Sequence, residues 1–187
     1  GEVTAEGKVY KGLRMKKTYE FEPLPQGIDP KYILGGQANL WTEQILSLRS
    51  AQYLTWPRSM SIAETLWSPK EKKNWQNFSE KVEKQFEILD VLNIKHAKSI
   101  YDPIVTTITN TKGELIAKME GEVDNLKFYY SIDESLPDQF SDEYKGAFVI
   151  PSDVTILRVI SYRNGKPIGK MLHIPMESLQ SRAVKTL

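Results

Sequence analysis

The residues in this chain that could do chemistry are carboxylates set beside aromatic rings. Glu43 follows Trp41 by two positions in "ILGGQANLWTEQ" (33–44), and Glu64 sits in the largely apolar run "SIAETLW" (61–67). Two adjacent acidic pairs, Asp133-Glu134 and Asp142-Glu143, lie in "SIDESLPD" and "FSDEY". Hydrolysis by carboxylates needs two acids facing one bond, commonly with one pKa raised. Neighbouring acids on exposed turns share no such site, so both pairs read as turn residues. Glu64 reads as a structural ion pair or a cap to another element. Arg58 is not its partner on the helix, because a spacing of six does not place two residues on one face.

Trp41 and Glu43 differ from these, because they come directly after a strand-like segment. In an α/β barrel, functional side chains gather at the carboxyl ends of strands. An indole beside a carboxylate suits a sugar: the C–H face of the pyranose stacks on the ring while the carboxylate accepts from hydroxyls. The other chemistries are poorly supplied. The chain has no cysteine, which excludes disulfides, thiolate metal sites and cysteine nucleophiles, and its two histidines, His96 and His173, are isolated. No metal or other cofactor is expected. A net charge of +1 gives no field to draw polyanions, which disfavours nucleic acid. No apolar run reaches the length of a membrane span, and nothing at the start resembles a secretory leader.

The elements that must position these residues fall into two halves. Residues 1–32, with Pro23, Pro25 and Pro30, favour an irregular or extended path. "YILGGQANLW" (32–41) alternates like a strand, and a helix is expected from Thr42-Glu43-Gln44 to about Tyr53. Pro57 opens the next helix, with Met60, Ala63 and Trp67 at helical spacing, and Ser68-Pro69 resembles a cap and first-residue pair for the one after. That helix is the clearest element: Trp75, Phe78, Val82, Phe86, Leu89 and Leu92 form an apolar stripe expected to be core. It is expected to end at Asp102-Pro103.

Beyond that point the period becomes two. "LKFYYSID" alternates, Thr111-Lys112-Gly113 separates two further strands, and Asn164-Gly165 joins two more as a type I′ hairpin. About six short strands predict an antiparallel sandwich. The polar tail from Glu177 is expected to fray. The expected fold class is therefore α+β, with residues 1–100 and 101–187 as separate domains.

Taken together, these segments resemble the C-terminal part of a family 20 glycoside hydrolase, a β-N-acetylhexosaminidase. "YEFEPLP" (19–25) is similar to the family's Tyr-x-x-x-Pro-x-Pro, "ILGGQANLWTE" to Gly-Gly-x-x-x-x-Trp-x-Glu, and "WPRSMSIAETLWS" (56–68) to Trp-Pro-Arg…Ala-Glu-x-Leu-Trp-Ser. The likeness covers roughly residues 18–95, in the expected order. Residues 126–169 resemble a small β-sandwich module that follows some hexosaminidase barrels. There Glu134 replaces the glycine of a Tyr-Tyr-Thr-x-Asp-Gly-Ser-x-Pro turn, while Asp133, Ser135 and Pro137 keep it.

The resemblance implies a helical remnant of the end of a (β/α)8 barrel, followed by a fibronectin-III-like sandwich. It implies a retaining enzyme in which the substrate's 2-acetamido group is the nucleophile, oriented by an Asp beside an acid Glu. That pair has no counterpart in this chain, so no catalytic residue is assigned and the fragment alone is expected to be inactive. Trp41 would form part of the aromatic wall of the sugar site, and Glu43 would bond the outer hydroxyls. N-acetylhexosamine glycans are the implied partners, in a bacterial periplasmic or secreted setting that the absence of cysteine also favours. Barrel helices without their sheet keep uncovered apolar faces, so self-association or packing on the sandwich is expected. The alternatives are a carbohydrate-binding or structural accessory module, in which Tyr129, Tyr130 and Tyr144 could stack on sugar, and a complete small helical-plus-β protein. The Asn77 sequon, on a helix, reads as chance.

Overall fold

A computed structural model describes residues 13–43 and 45–185. The expected irregular path of residues 1–12, and Gln44 in the expected helix start, lie outside the described residues. The chain divides into two compact units, residues 1–97 and 98–187.

The first unit is helical: α1 (Met15–Tyr19), α2 (Leu48–Thr55), α3 (Arg58–Trp67) and α4 (Trp75–Val91). Helix α1 replaces part of the extended start that the prolines suggested. Helix α4 forms as its stripe predicts, burying Phe78, Val82, Phe86 and Leu89, although Leu92 lies past its end and is exposed. Burying four such side chains contributes roughly 6–12 kcal/mol, the largest single term in this unit. Asn74 caps its first turn by accepting from the Asn77 amide. Ser68-Pro69 opens only a 3-10 turn, Lys70–Lys72.

Helix α4 also ends well before Asp102-Pro103. Asn93 takes a left-handed φ of 53°, and the amides of Asn93 and Ile94 return to the carbonyls of Asp90 and Leu89 at 3.0 and 2.8 Å. This is the double closure of a Schellman cap. It satisfies carbonyls that would otherwise be orphaned, so the helix stops where the cap is, not where the proline is.

The second unit holds two four-stranded sheets. The strands are β1 (Ile104–Thr109), β2 (Leu115–Glu120), β3 (Lys127–Ser131), β4 (Asp142–Glu143), β5 (Phe148–Ile150), β6 (Ile156–Arg163), β7 (Lys166–Pro175) and β8 (Val184–Lys185), with helix α5 (Met176–Arg182) before the last. The sheet orders are β5-β2-β1-β8 and β4-β3-β6-β7. Neighbouring strands are antiparallel except β1 and β8, which pair in parallel. Ala117, Met119 and Ile150 from one sheet meet Phe128, Leu157 and Val159 from the other in one buried core. The Asn164-Gly165 turn has φ of 52° and 73°, as a type I′ hairpin requires.

Two expectations are corrected here. Asp142-Glu143 is not a turn but the short edge strand β4, pairing with Tyr130 and Tyr129. The tail beyond Glu177 is ordered through residue 185. Leu179 is buried in the sandwich core, and its carbonyl accepts from Thr107 Oγ1 at 2.7 Å. One apolar anchor, one buried hydrogen bond and the pairing of β8 with β1 thus hold a mostly polar segment. Leu187 lies outside the described residues.

All four tryptophans precede residue 98, so their fluorescence reports the helical unit alone. Asn93→Ala is expected to cost that unit about 1 kcal/mol, because alanine tolerates the left-handed cap poorly, whereas Asn93→Gly holds or raises its stability. Urea unfolding followed by tryptophan emission separates the two outcomes.

Candidate functional site

The segment carrying Trp41 and Glu43 is extended but joins no sheet among the described residues, and Leu34 through Glu43 are exposed. Alternation set the expected strand, yet a strand needs a hydrogen-bonding neighbour, and no described segment supplies one. Its two glycines have distinct jobs. Gly35 has φ of 149°, which side chains rarely adopt. Gly36 lies so close to α3 that an added Cβ would stand 2.8 Å from Leu66 Cδ2. The Gly-Gly pair therefore turns the backbone and seats it on α3, fixing the approach to Trp41.

Beyond Leu40 the chain does not continue into a helix. Ile45 N–H donates to the Thr42 carbonyl at 3.0 Å, closing a turn at Glu43. Helix α2 starts only at Leu48, because Ser47 caps it by accepting from Ser50 N–H at 3.2 Å. Glu43 thus projects from a turn, where its carboxylate has no hydrogen-bond or ion-pair partner among the described residues. Trp41 is 74% exposed. Such a pair can stack on and hydrogen-bond a ligand, but no described wall encloses it.

Glu64 behaves differently from the expectation. It is half-buried, and its carboxylate makes no ion pair or hydrogen bond among the described residues. Its charge lies close enough to act on Tyr19: burial first, and the Glu64 carboxylate second, push the Tyr19 phenol above its ordinary range. The side of α3 that packs is the polar one, with Ser61 and Thr65 buried, while Ala63 is exposed and Trp67 is 88% exposed. The Met60-Ala63-Trp67 stripe instead borders an open groove of about 320 Å³, with Phe78 and Val82 on the facing side. The reason for the inversion is Tyr19. Its carbonyl accepts from Thr65 Oγ1 at 3.0 Å and from Lys73 Nζ, and its ring stacks on Phe78 at 4.8 Å. Sequence reasoning missed Tyr19 as a clamp. Its place at the head of "YEFEPLP", before two prolines, is the only local signal.

The histidines are structural. His96 is buried, stacks on Phe86 at 4.5 Å and bonds Asp90 through Nε2 at 3.0 Å. His173 Nδ1 accepts from Arg158 Nε at 3.1 Å. Among the described residues no three His, Cys, Asp or Glu side chains cluster as metal ligands.

The remaining acidic pair is a built turn. Glu134 has φ of 66°, a conformation that glycine holds most easily. Asp133 Oδ1 accepts from Ser135 Oγ at 2.6 Å and from Ser135 N–H at 3.1 Å. Thr155 donates to the Glu134 carboxylate, and Arg158 to the carbonyls of Glu134 and Ser135. Of the three tyrosines weighed as sugar platforms, Tyr130 stacks on Phe148 at 4.5 Å and Tyr144 packs beside Phe128 and Phe148. Both serve the core. Tyr129 does not.

Comparison with known proteins bears on the N-terminal part of the chain. Residues 2–70 match the catalytic domain of glycosyl hydrolase family 20. That segment includes Tyr19, Gly35, Gly36, Trp41, Glu43 and Glu64. The chain is 31% identical over 85 residues to a beta-hexosaminidase of Porphyromonas gingivalis, covering 44% of this chain and 11% of that protein. It is 29% identical over 72 residues to a beta-N-acetylhexosaminidase of Cellulomonas fimi, covering 37% and 14%. It is 32% identical over 75 residues to a beta-hexosaminidase of Akkermansia muciniphila, covering 38% and 15%. The chain thus spans only a small part of the length of these relatives, and the resemblance read from its motifs holds for this segment.

The Asp133 turn yields a pH prediction. Hydrogen bonds from the Ser135 hydroxyl and amide hold the Asp133 carboxyl below its usual range. A depressed folded pKa stabilises above the unfolded value, near 3.9, and that stabilisation is lost as pH falls through the folded value. The stability gap between wild type and Asp133→Asn is therefore expected to be widest at neutral pH and to close in acid. Urea midpoints followed by circular dichroism across pH 7 to 2 measure it.

Proposed function

We propose that this chain is the C-terminal portion of a β-N-acetylhexosaminidase that releases terminal β-linked N-acetylhexosamine by substrate-assisted, retaining catalysis. The observation that carries the reading is the coincidence of Trp41 and Glu43 with the segment matched to the family 20 catalytic domain. In this reading Trp41 forms part of the aromatic wall around the acetamido group, and Glu43 accepts hydrogen bonds from the sugar's outer hydroxyls. The orienting Asp and the acid Glu are supplied by another part of the parent protein.

Two structural facts support a barrel origin for the helical unit. Residues 33–40 run extended with no ladder partner among the described residues, as a barrel strand does when viewed apart from its neighbours. Helix α3 buries its polar side and leaves Met60 and Trp67 on an open groove, as a helix does when its intended cover is elsewhere. In isolation that apolar groove favours self-association. In the second unit, the first, second and fifth strands share one sheet and the third, sixth and seventh the other. This is the partition of immunoglobulin-like sandwiches, in keeping with a fibronectin-III-like accessory module. A bacterial extracytoplasmic location suits glycan substrates and a chain without cysteine. Among the described residues no helix is long and apolar enough to cross a membrane.

The chain alone is expected to give no turnover of a chromogenic N-acetylglucosaminide, while the longer parent protein turns it over. In the parent, Trp41→Ala and Glu43→Gln are each expected to lower kcat/KM by on the order of 10–100-fold, equivalent to losing one or two transition-state contacts. Steady-state kinetics decide it: turnover by the chain, or unchanged kinetics in both variants, overturns the assignment.

A further inference from the structure

The outer face of the β4-β3-β6-β7 sheet carries a cleft of about 590 Å³, within the range that accepts a small ligand. Its floor is Lys127 and Tyr129 on β3 and Tyr162 on β6, with Lys127 directly across from Tyr162. The two tyrosine rings meet edge to face, 5.0 Å apart. Phe140 stands on the rim, 86% exposed. It is fixed there by a tight turn in which Asp138 Oδ1 accepts from Phe140 N–H at 2.8 Å and Ser141 Oγ accepts from Asp138 N–H at 2.9 Å. The amide side chains of Asn125, Gln139 and Asn164 complete the mouth, and none of the three has a hydrogen-bond partner among the described residues.

The chemistry of this lining selects its ligand. Lys127 is paired with Glu143 at 3.2 Å. Arg163 donates to the Asp124 carbonyl at 2.8 Å, and its guanidinium lies 5.5 Å from the Tyr101 ring centre. Glu143 offsets the Lys127 charge, and Arg163 keeps its charge but is tied to the Asp124 carbonyl and the Tyr101 ring, so the cleft presents no cluster of cations aimed at an anion. Strands β3 and β6 are each paired on both sides, so the floor has no open backbone edge for an added peptide strand. What remains is a pair of aromatic surfaces ringed by neutral amides that donate and accept. A molecule with an apolar C–H face and a belt of hydroxyls satisfies both.

We propose that this cleft binds a neutral pyranose oligosaccharide, with one ring stacked on Phe140 and Tyr129 and its hydroxyls bonded to Gln139, Asn125 and Asn164. The site lies in the second unit, outside the family 20 match, and does not rest on the enzymatic reading. It would hold a glycan without cleaving it.

The test is a titration of the isotopically labelled full chain with chitotetraose and, separately, cellotetraose, followed by amide NMR shifts. Saturable shifts confined to residues 125–129, 139–141 and 162–165, with at least one of the two sugars, are expected. Phe140 and Gln139 are both exposed, so Phe140→Ala and Gln139→Ala keep the fold. Each is expected to weaken binding roughly five- to tenfold, the loss of one stacking or amide contact. Trp41→Ala is expected to leave this binding unchanged. The proposal is overturned if neither sugar gives saturable shifts, if Phe140→Ala binds as well as wild type, or if Trp41→Ala abolishes the shifts. In the parent enzyme, Phe140→Ala leaves turnover of a small chromogenic substrate intact, which separates failure of this site from failure of the catalytic assignment.

Discussion

The carbonyl of Tyr19 is the point on which the helical unit turns. It accepts from the Thr65 hydroxyl of α3 and from the Lys73 ammonium that precedes α4, while the Tyr19 ring stacks on Phe78 and meets Trp75 edge-on at 5.3 Å. Lys73 also lies 4.5 Å from the centre of that ring, adding a cation–π contact. A neutral hydrogen bond of this kind contributes about 1 kcal/mol, and one from a charged donor about 1.5–3. The apolar burial along α4 is larger than both. The burial is non-directional, however, and does not choose which side of α3 faces inward. The two hydrogen bonds make that choice, so a polar clamp sets the orientation and hydrophobic packing supplies most of the energy.

The consequence reaches the candidate site through α3. Because Thr65 and Ser61 face inward, Leu66 is free to receive Gly36, and the Gly35-Gly36 pair lays the extended segment across the helix. Trp41 and Glu43 then emerge from a turn whose direction was fixed several residues earlier. The same orientation leaves Met60 and Trp67 on open ground. One clamp thus explains both the placement of the family motif and the uncovered groove.

Much of this was legible in the sequence, and the failures share a cause. The stripe of α4, the alternation of β3 and the Asn164-Gly165 turn depend on residues within one element, and periodicity reads them directly. The inward side of α3 depends on Tyr19, 46 residues away from Thr65, and an apolar stripe says only which side wants cover. Residues 33–40 alternate like a strand, but pairing is a property of two segments. The tail helix α5 is held by Leu179 and, in part, Met176 among its side chains, a signal too sparse for any period. Asn93 is a residue that tolerates the left-handed stop, whereas Asp102-Pro103 marks only where a helix can no longer continue. The Glu134 position is the reverse case. The resemblance placed a glycine there, and the φ of 66° gives the physical reason for that preference.

The two units also differ in how complete they are as folded objects. In the sandwich, both sheets contribute to one closed core, and Leu157 and Val159 are wholly buried. A cleft on its outer face therefore rests on a scaffold that needs nothing further. The helical unit has a buried stripe on α4, but α2 buries no residue completely and the extended segment has no strand partner among the described residues. Under the proposed function, a sugar site at Trp41 and Glu43 would have to be held to within about half an ångström to act on a transition state, and a lone turn does not hold that tolerance. Precision there has to come from strands and helices packed around the segment. The geometry of this chain thus presents an exposed ring and carboxylate on one turn, and under the proposed function their rigidity would come from segments packed around that turn.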